Sequence, residues 1–417
     1  MIQNTMSTAK AYTNSDGVEL LFFRSPFQEA RDSPELFVAE LIVYLTFVIG
    51  FIHAKKNGGE HLLFLFIAFA AASFVDPFCL ISENIRNYFH SHASVLMWDR
   101  HVAPWQFPLF GCIAYVPGAI VWSLNLDIIP ETLLIAFVSS WSFYCFDLFA
   151  CRWLLYQWHV SDPLYTARTE CVPLASSMWV MTYAITASFL ARISYRYLFP
   201  NEKPEPFGTE WWAAFAICTV VFLPLHILPI TFFYFPSFIL HLNLEYYCVW
   251  GFGLAGLLLS IISAYKWPNS AQTITSYPSL VIFQSGVWFG GLLFVLLHFD
   301  PQNVLSTSVH QPYGGINSKS SELCLKNETY LFGLSERKRY VCDEDLVHWR
   351  IAKDPATRML PKPLDEWYTI QGLPMTRQFF THYLASLLVG IFIHLILFSL
   401  ATRETKKLET GHKNKIE

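Results

Sequence analysis

Charge is scarce in this sequence: Asp, Glu, Lys and Arg make up 14% of its 417 residues, where soluble domains carry about 25%. That excludes an ordinary water-soluble surface. The 53% hydrophobic and 17% aromatic content points instead to a chain that crosses a membrane several times. A basic excess is missing too. The formal net charge of −4 argues against a nucleic-acid partner. The first 34 residues lack a basic stretch followed by a short apolar core, so no cleavable signal peptide is expected and targeting rests on the first hydrophobic helix. No solenoid repeat is visible. GxSxG, HExxH, P-loop and Rossmann glycine patterns are all absent. No CxxC or Cys/His spacing suggests zinc, so neither a metal nor a cofactor is expected.

Long apolar runs, by contrast, are abundant. A helix needs roughly 20 such residues to cross a bilayer. About nine runs qualify, near 36–54, 61–82, 104–124, 130–151, 171–194, 211–235, 246–265, 278–298 and 379–401. The expected fold is an all-α, polytopic transmembrane helix bundle of about nine spans. Pro224, Pro229 and Pro236 interrupt the sixth run, which reads as a kinked or re-entrant helix. The corresponding layout is an N-terminal lumenal segment (1–35), an eight-helix core (36–298), a small lumenal or extracellular domain (299–378), a final span (379–401) and a cytosolic basic tail (402–417).

Orientation follows from Lys and Arg in the short loops. With the tail TRETKKLETGHKNK in the cytosol, Lys55, Lys56, Arg192, Arg196, Lys203 and Lys266 all fall on the cytosolic side. The opposite loops hold Arg86, Arg100, Arg152 and Arg168, interleaved with acids. The polar stretch 299–378 then lies on the lumenal or extracellular side. It contains the glycosylation sequon Asn327-Glu328-Thr329 and the candidate disulfide pair Cys324 and Cys342, two features of that same side. Cys151 and Cys171 flank one loop on that side and form a second, weaker pair. The compartment is the endomembrane system or the plasma membrane.

The polar chemistry gathers at that face. ENIRNYFHSH ends the second run, and WDRHVAPWQ completes its loop with Trp98, Asp99 and His101. CRWLLYQWHVSDPLYTARTEC adds Trp153, Trp158 and His159, and PSFILHLNLEYY adds His241 and Glu245. Trp and Tyr belong at membrane interfaces in any case, so these loops read either as wetted edges or as pocket walls. His90 and His92, two apart, would point to different faces of a helix and make a poor metal pair. Two carboxylates sit inside spans, where a charge is costly and marks a functional candidate. Asp147 has Arg152 as a candidate partner, with a structural ion pair or a helix-to-helix hydrogen bond as the alternative. Asp76, just before Pro77, reads more simply as an acceptor for donors freed by a kink. His226 reads as a bundle hydrogen bond.

Two stretches resemble a known family. One is ENIRNYFHSHASVLMWDRHVAPWQFPLFGCIAYVPGAIVW, an acid (Glu83) leading into a helix with a VPxxxxxW-like segment. The other is FDLFACRWLLYQWHVSDPLYTARTECVPLASSMWV, an Asp followed by spaced tryptophans and a Trp-containing helix. This order is similar to the carotenoid-biosynthesis integral membrane family, which includes carotenoid hydratases. The chain departs from that pattern in having His and Trp where the family has glycines and tyrosines. As a whole it resembles multi-span eukaryotic membrane proteins that share a domain of unknown function. The first resemblance implies protonation of a polyene by Glu83 or Asp147, water oriented by His90, Asp99 or His159, and a cation held by Trp98, Trp153 and Trp158.

Three functions remain open on these residues. One is a lipid- or isoprenoid-modifying enzyme with Glu83, Asp147, His90 and His159 as catalytic candidates and Trp98, Asp99, His101, Trp153 and Trp158 as substrate contacts. A second is a transporter or lipid-binding membrane protein, which needs a polar path through the bundle. A third is a receptor-like or scaffold protein working through 299–378, with His310 in STSVHQPYGG as a contact. A membrane lipid or isoprenoid is the expected ligand, and nothing in the residues names a protein partner.

Overall fold

The computed structural model describes residues 10–413 apart from 15–16, 92, 125, 166, 200–203, 316–321 and 356; within 241–277 it describes 256 and 258. The expected span 246–265, with His241 and Glu245, lies outside the described residues. Elsewhere the chain is mostly helical. A short helix α1 (Pro26–Asp32) leads into α2 (Pro34–Asn57), α3 (Gly59–Ile81), α4 (Gln106–Trp122) and α5 (Ile128–Arg152). Then come α6 (Leu174–Ile193, extended by a π turn to Leu198), α7 (Thr209–Leu240), α8 (Pro278–His298) and α9 (Arg377–Lys413). Among the described residues, 7 helices are long and apolar enough to cross a membrane, namely α2, α3 and α5 to α9.

Helix α4 is the exception, and its surroundings explain why. Its 17 residues rise about 25 Å. All of them except Phe107 are buried, and α4 packs against α2, α3, α5, α6, α8 and α9. A helix apolar on every side belongs in an interior. The outer helices show the complement: Val48, Phe74, Val220, Phe283 and Phe392 are exposed, a surface suited to hydrocarbon rather than water.

One end of the bundle is closed by tight connections. Helix α2 passes to α3 through Gly58, whose φ of +103° is one that glycine adopts without strain. Next to it, a Cβ on Gly59 would collide with the Tyr195 hydroxyl. Arg192 of α6 bridges Glu60 of α3 at 2.8 Å and Glu131 of α5 at 2.7 Å, and its guanidinium lies 4.0 Å above the Trp122 ring. One cation thus ties three helices.

At the opposite end the expectation of an all-α fold fails, because the connections there are built from short strands. The N-terminal hairpin β1 (Lys10–Thr13) and β2 (Glu19–Phe23) adds β4 (Val95–Met97) as a third antiparallel strand. Strand β3 (Tyr88–His90) pairs with β5 (Tyr156–Trp158), and β6 (Arg168–Thr169) with β7 (Val172–Pro173). In the 299–376 connection, β14 (Trp367–Gly372) lies between β8 (Leu305–Val309) and β13 (Trp349–Ile351). There β9 (Tyr313–Gly315) runs parallel to β12 (Val341–Cys342), and β10 (Asn327–Tyr330) pairs with β11 (Ser335–Lys338). Polar contacts join these pieces into one cap: Ser306 Oγ donates to Ser91 Oγ at 2.9 Å, and the Val160 N–H to Gln311 Oε1 at 3.2 Å.

The cap also decides the cysteine expectations. Cys324 and Cys342 are joined by a disulfide with Cα atoms 6.1 Å apart, closing a loop around the β10–β11 hairpin. Gly314 packs against both sulfurs, where a Cβ would clash with that of Cys342. The weaker pair, Cys151 and Cys171, is not bonded; both are buried free thiols that hydrogen-bond to each other.

Candidate functional site

Where the cap meets the bundle there is a cavity of about 60 Å³, several times the roughly 10–15 Å³ that one water needs on the same measure. Each wall comes from a different element. The last turns of α3 supply Asp76 and Cys79, and β3 supplies Tyr88 and His90. Trp105 and the first turn of α4, with Gln106, Leu109 and Phe110, form the next side, and Phe143 of α5 closes the floor. Strand β5 gives Tyr156 and Trp158, stacked on Tyr165 with ring centroids 4.8 Å apart. Helix α6 contributes Ala175, Ser176 and Trp179. Cys79, Asn87, Tyr88, Trp158 and Trp179 are only part-buried, so they mark the mouth, at the level where the spanning helices give way to the cap.

Several polar atoms at this cavity are buried without a partner. Asp76 is 3% exposed, His90 4% and Gln106 2%. Asp76 Oδ2, both ring nitrogens of His90, both amide atoms of Gln106 and Asn87 Oδ1 have no hydrogen-bond partner in the protein. A buried polar atom left unpaired costs about 1–3 kcal/mol, so such a concentration at one cavity implies something that satisfies it. Asp76 shares a hydrogen bond with the Tyr88 hydroxyl, and Asn87 Nδ2 donates to the Tyr165 hydroxyl at 2.6 Å. Burial pushes His90 down to about 3. It is therefore a neutral imidazole at physiological pH, with one N–H and one lone pair.

Asp147 stands one layer behind this wall. It is fully buried and accepts from the Tyr156 hydroxyl and, at 2.5 Å, from Ser176 Oγ. Both partners line the cavity, so Asp147 fixes two pieces of its wall. Arg152, its expected partner, turns away: it donates to the Pro374 carbonyl and lies 4.9 Å from the Phe379 ring centroid. His226 packs edge-on behind Trp179, ring centroids 4.5 Å apart.

The other sequence candidates are placed elsewhere. Glu83 is exposed on the turn after α3 and lines no part of the cavity. His159 is buried beneath Phe89, ring centroids 6.3 Å apart; burial, then Arg337 and Arg168, hold it well below the usual imidazole range. Trp98 and Asp99 occupy left-handed turn positions at φ +49° and +52°. Asp99 Oδ1 accepts the Glu19 N–H at 2.8 Å, so this turn anchors the N-terminal hairpin. His101 is half-buried and pushed down to about 4, first by burial and then by Arg86. Trp153 is buried and donates to the Phe299 carbonyl at 3.2 Å, seating the start of the 299–376 connection. His310 is buried inside the cap rather than offered as a surface contact. Of the four catalytic candidates His90 alone lines the cavity, and of the five substrate candidates Trp158 alone.

Sequence reasoning weighs Asp76 but prefers a kink acceptor for it, and passes over Tyr88 and Gln106. The position of Asp76 within a span is a usable signal. Tyr88 and His90 share a face because they lie on a strand, where i and i+2 point the same way, and a helical reading hides that. Gln106 carries no sequence signal. Among the described residues no group of three or more His, Cys, Asp or Glu is placed to hold a metal ion.

Fold and cavity together define a membrane-embedded helix bundle with an aromatic-walled polar pocket at its capped end. The chain belongs to the family of a domain of unknown function, DUF7802, whose profile matches residues 21–402. No curated protein and no solved structure matches it, and the resemblance to the carotenoid-biosynthesis family finds no support there.

Proposed function

We propose that this membrane protein binds the polar end of a lipid or isoprenoid in the cavity beneath the cap and modifies it by acid–base chemistry. The observation that carries the reading is the set of unpartnered polar atoms on Asp76, His90 and Gln106 inside a ring-lined pocket at the membrane boundary. A space of about 60 Å³ suits a small head group, with the hydrocarbon lying outside past Trp158 and Trp179. Asp76 and the His90 imidazole are the two groups on the wall that can exchange a proton with a bound head group. Glu83, exposed, has no part in it. The floor of Leu109, Phe110 and Phe143 is apolar, which disfavours a polar transport path from this pocket.

The reading has a direct test. Purified from membranes in a mild detergent, the chain is expected to carry a lipid or isoprenoid detectable by mass spectrometry. Ala175→Phe, which fills the cavity from α6, is expected to reduce that species at least tenfold while leaving the chain folded. Equal lipid content in the two proteins would remove the cavity as the binding site.

We further propose that the cap faces the lumen or exterior. The Cys324–Cys342 disulfide suits an oxidising compartment, the sequon residues Asn327 and Thr329 are exposed, and Lys55, Lys56 and Arg196 lie at the other end. A glycosidase-sensitive gel shift that disappears in Asn327→Gln is the expected result. A chain without glycan whose cap cysteines react, without prior reduction, with a thiol reagent supplied only to the cytosolic face would reverse the orientation.

A further inference from the structure

From the chemistry of the cavity wall we infer that the head group it takes is a primary ammonium carried on a hydrocarbon chain; this rests on the function proposed above and narrows it to one substrate class. The argument begins with charge. One carboxylate, Asp76, lines the cavity, and a second, Asp147, stands directly behind the hydroxyls of Tyr156 and Ser176. Among the described residues no Lys or Arg lines it. The nearby Arg168 directs Nε to the Tyr165 carbonyl at 2.7 Å and Nη2 to the His159 carbonyl at 3.1 Å, on the cap side of the wall. An anionic head would therefore meet the Asp76 carboxylate, with Asp147 one layer behind and no compensating cation among the described lining residues.

The rings point the same way. Tyr88, Trp105, Tyr156, Trp158, Tyr165 and Trp179 surround the space, and the negative π faces of such rings attract cations, most strongly where water is excluded. A neutral hydroxyl head would gain nothing from them. Three acceptors then choose among cations: Asp76 Oδ2, Gln106 Oε1 and Asn87 Oδ1 all lack a donor, while the unpaired donors Gln106 Nε2 and the His90 N–H call for a water beside the head group. A primary ammonium has three N–H donors; a quaternary one has none and would leave these oxygens unpaired. The part-buried Cys79 and Trp179, on spanning helices at the mouth, place the attached chain at the bilayer rather than in water.

The test uses the full chain in maltoside micelles, titrated with dodecylamine, dodecanol, dodecyl phosphate and dodecyltrimethylammonium and read by native mass spectrometry. Dodecylamine is expected to bind at least tenfold more tightly than each of the other three. Asp76→Asn is expected to erase the preference over dodecanol, with Asn87→Ala, which leaves both carboxylates in place, reducing it in part. Methylamine at the same concentrations is expected not to compete, since it lacks the chain; equal competition would overturn the lipid-borne source. Binding of dodecyltrimethylammonium equal to that of dodecylamine would overturn the primary-amine assignment. Should dodecylamine and dodecanol bind equally, both sensitive to Ala175→Phe, the ammonium inference fails and the amphiphile site stands. If none of the probes binds, both fall.

Discussion

Replacing Arg337 with methionine is expected to destabilise the docked cap by about 3–5 kcal/mol, the cost of removing one partner from a buried ion pair. The Arg337 side chain is 2% exposed and that of Asp162 0%. The guanidinium meets Asp162 at 3.4 Å and Glu328 at 2.8 Å. It also donates to the Ile85 carbonyl at 2.8 Å and lies 4.6 Å from the centroid of the Tyr330 ring, whose hydroxyl donates to Asp162 at 2.7 Å. One side chain of β11 therefore holds the connections after α3 and α5 against the 299–376 segment. In the variant the Asp162 carboxylate keeps its burial and loses the Arg337 guanidinium, while Arg168 still acts on it electrostatically. Adding Asp162→Asn should recover part of the loss, because the buried charge that Arg337 helped to balance is then gone. The measurements are the denaturant midpoint and the rate of limited proteolysis within 299–376. If Arg337→Met changes neither, apolar packing alone holds the cap.

That hub was invisible in the sequence, and the reason is general. Helices that cross a membrane announce themselves through local composition, so eight of the nine expected runs coincide with described helices, including α4. The central position of α4 was not legible, because an apolar run of that length reads alike whether lipid or protein surrounds it. The strands are shorter still, two to six residues each, and they pair across long separations: β3 with β5, and β8 with β14. Their stability comes from partners, not from their own residues. The ENIRNYFHSH stretch illustrates the cost of reading it locally. Its acid, Glu83, is exposed, whereas Tyr88 and His90 face one cavity only because β5 fixes them as a strand. Asp147, a carboxylate inside an apolar run, holds the wall in place, and Asp76, beside its proline, lines the cavity itself.

A histidine with no role in the cavity offers the second large effect. His310 sits inside the cap, its Nε2 3.0 Å from Ser308 Oγ and its ring 4.8 Å from that of Tyr368. Burial pushes it down to about 3, while an exposed imidazole titrates near 6.5. On acidification the opened cap therefore takes up this proton before the closed cap does. The His310 contribution is complete above about pH 6.5 and declines as pH falls toward 3. At 1.36 kcal/mol per pH unit, the closed cap loses about 2 kcal/mol between pH 6.5 and 5 from this residue. Other groups titrate in the same window: His90 acts in the same sense, and Glu29, raised to about 8 by burial, acts in the opposite one. Comparison with His310→Phe isolates the single imidazole, because phenylalanine keeps the ring packing and cannot be protonated. Over those 1.5 pH units the wild-type chain should lose about 2 kcal/mol more than the variant in denaturant titrations. Parallel curves would mean that His310 takes up its proton over the same pH range in the closed cap as in the open one, and so that water reaches it there.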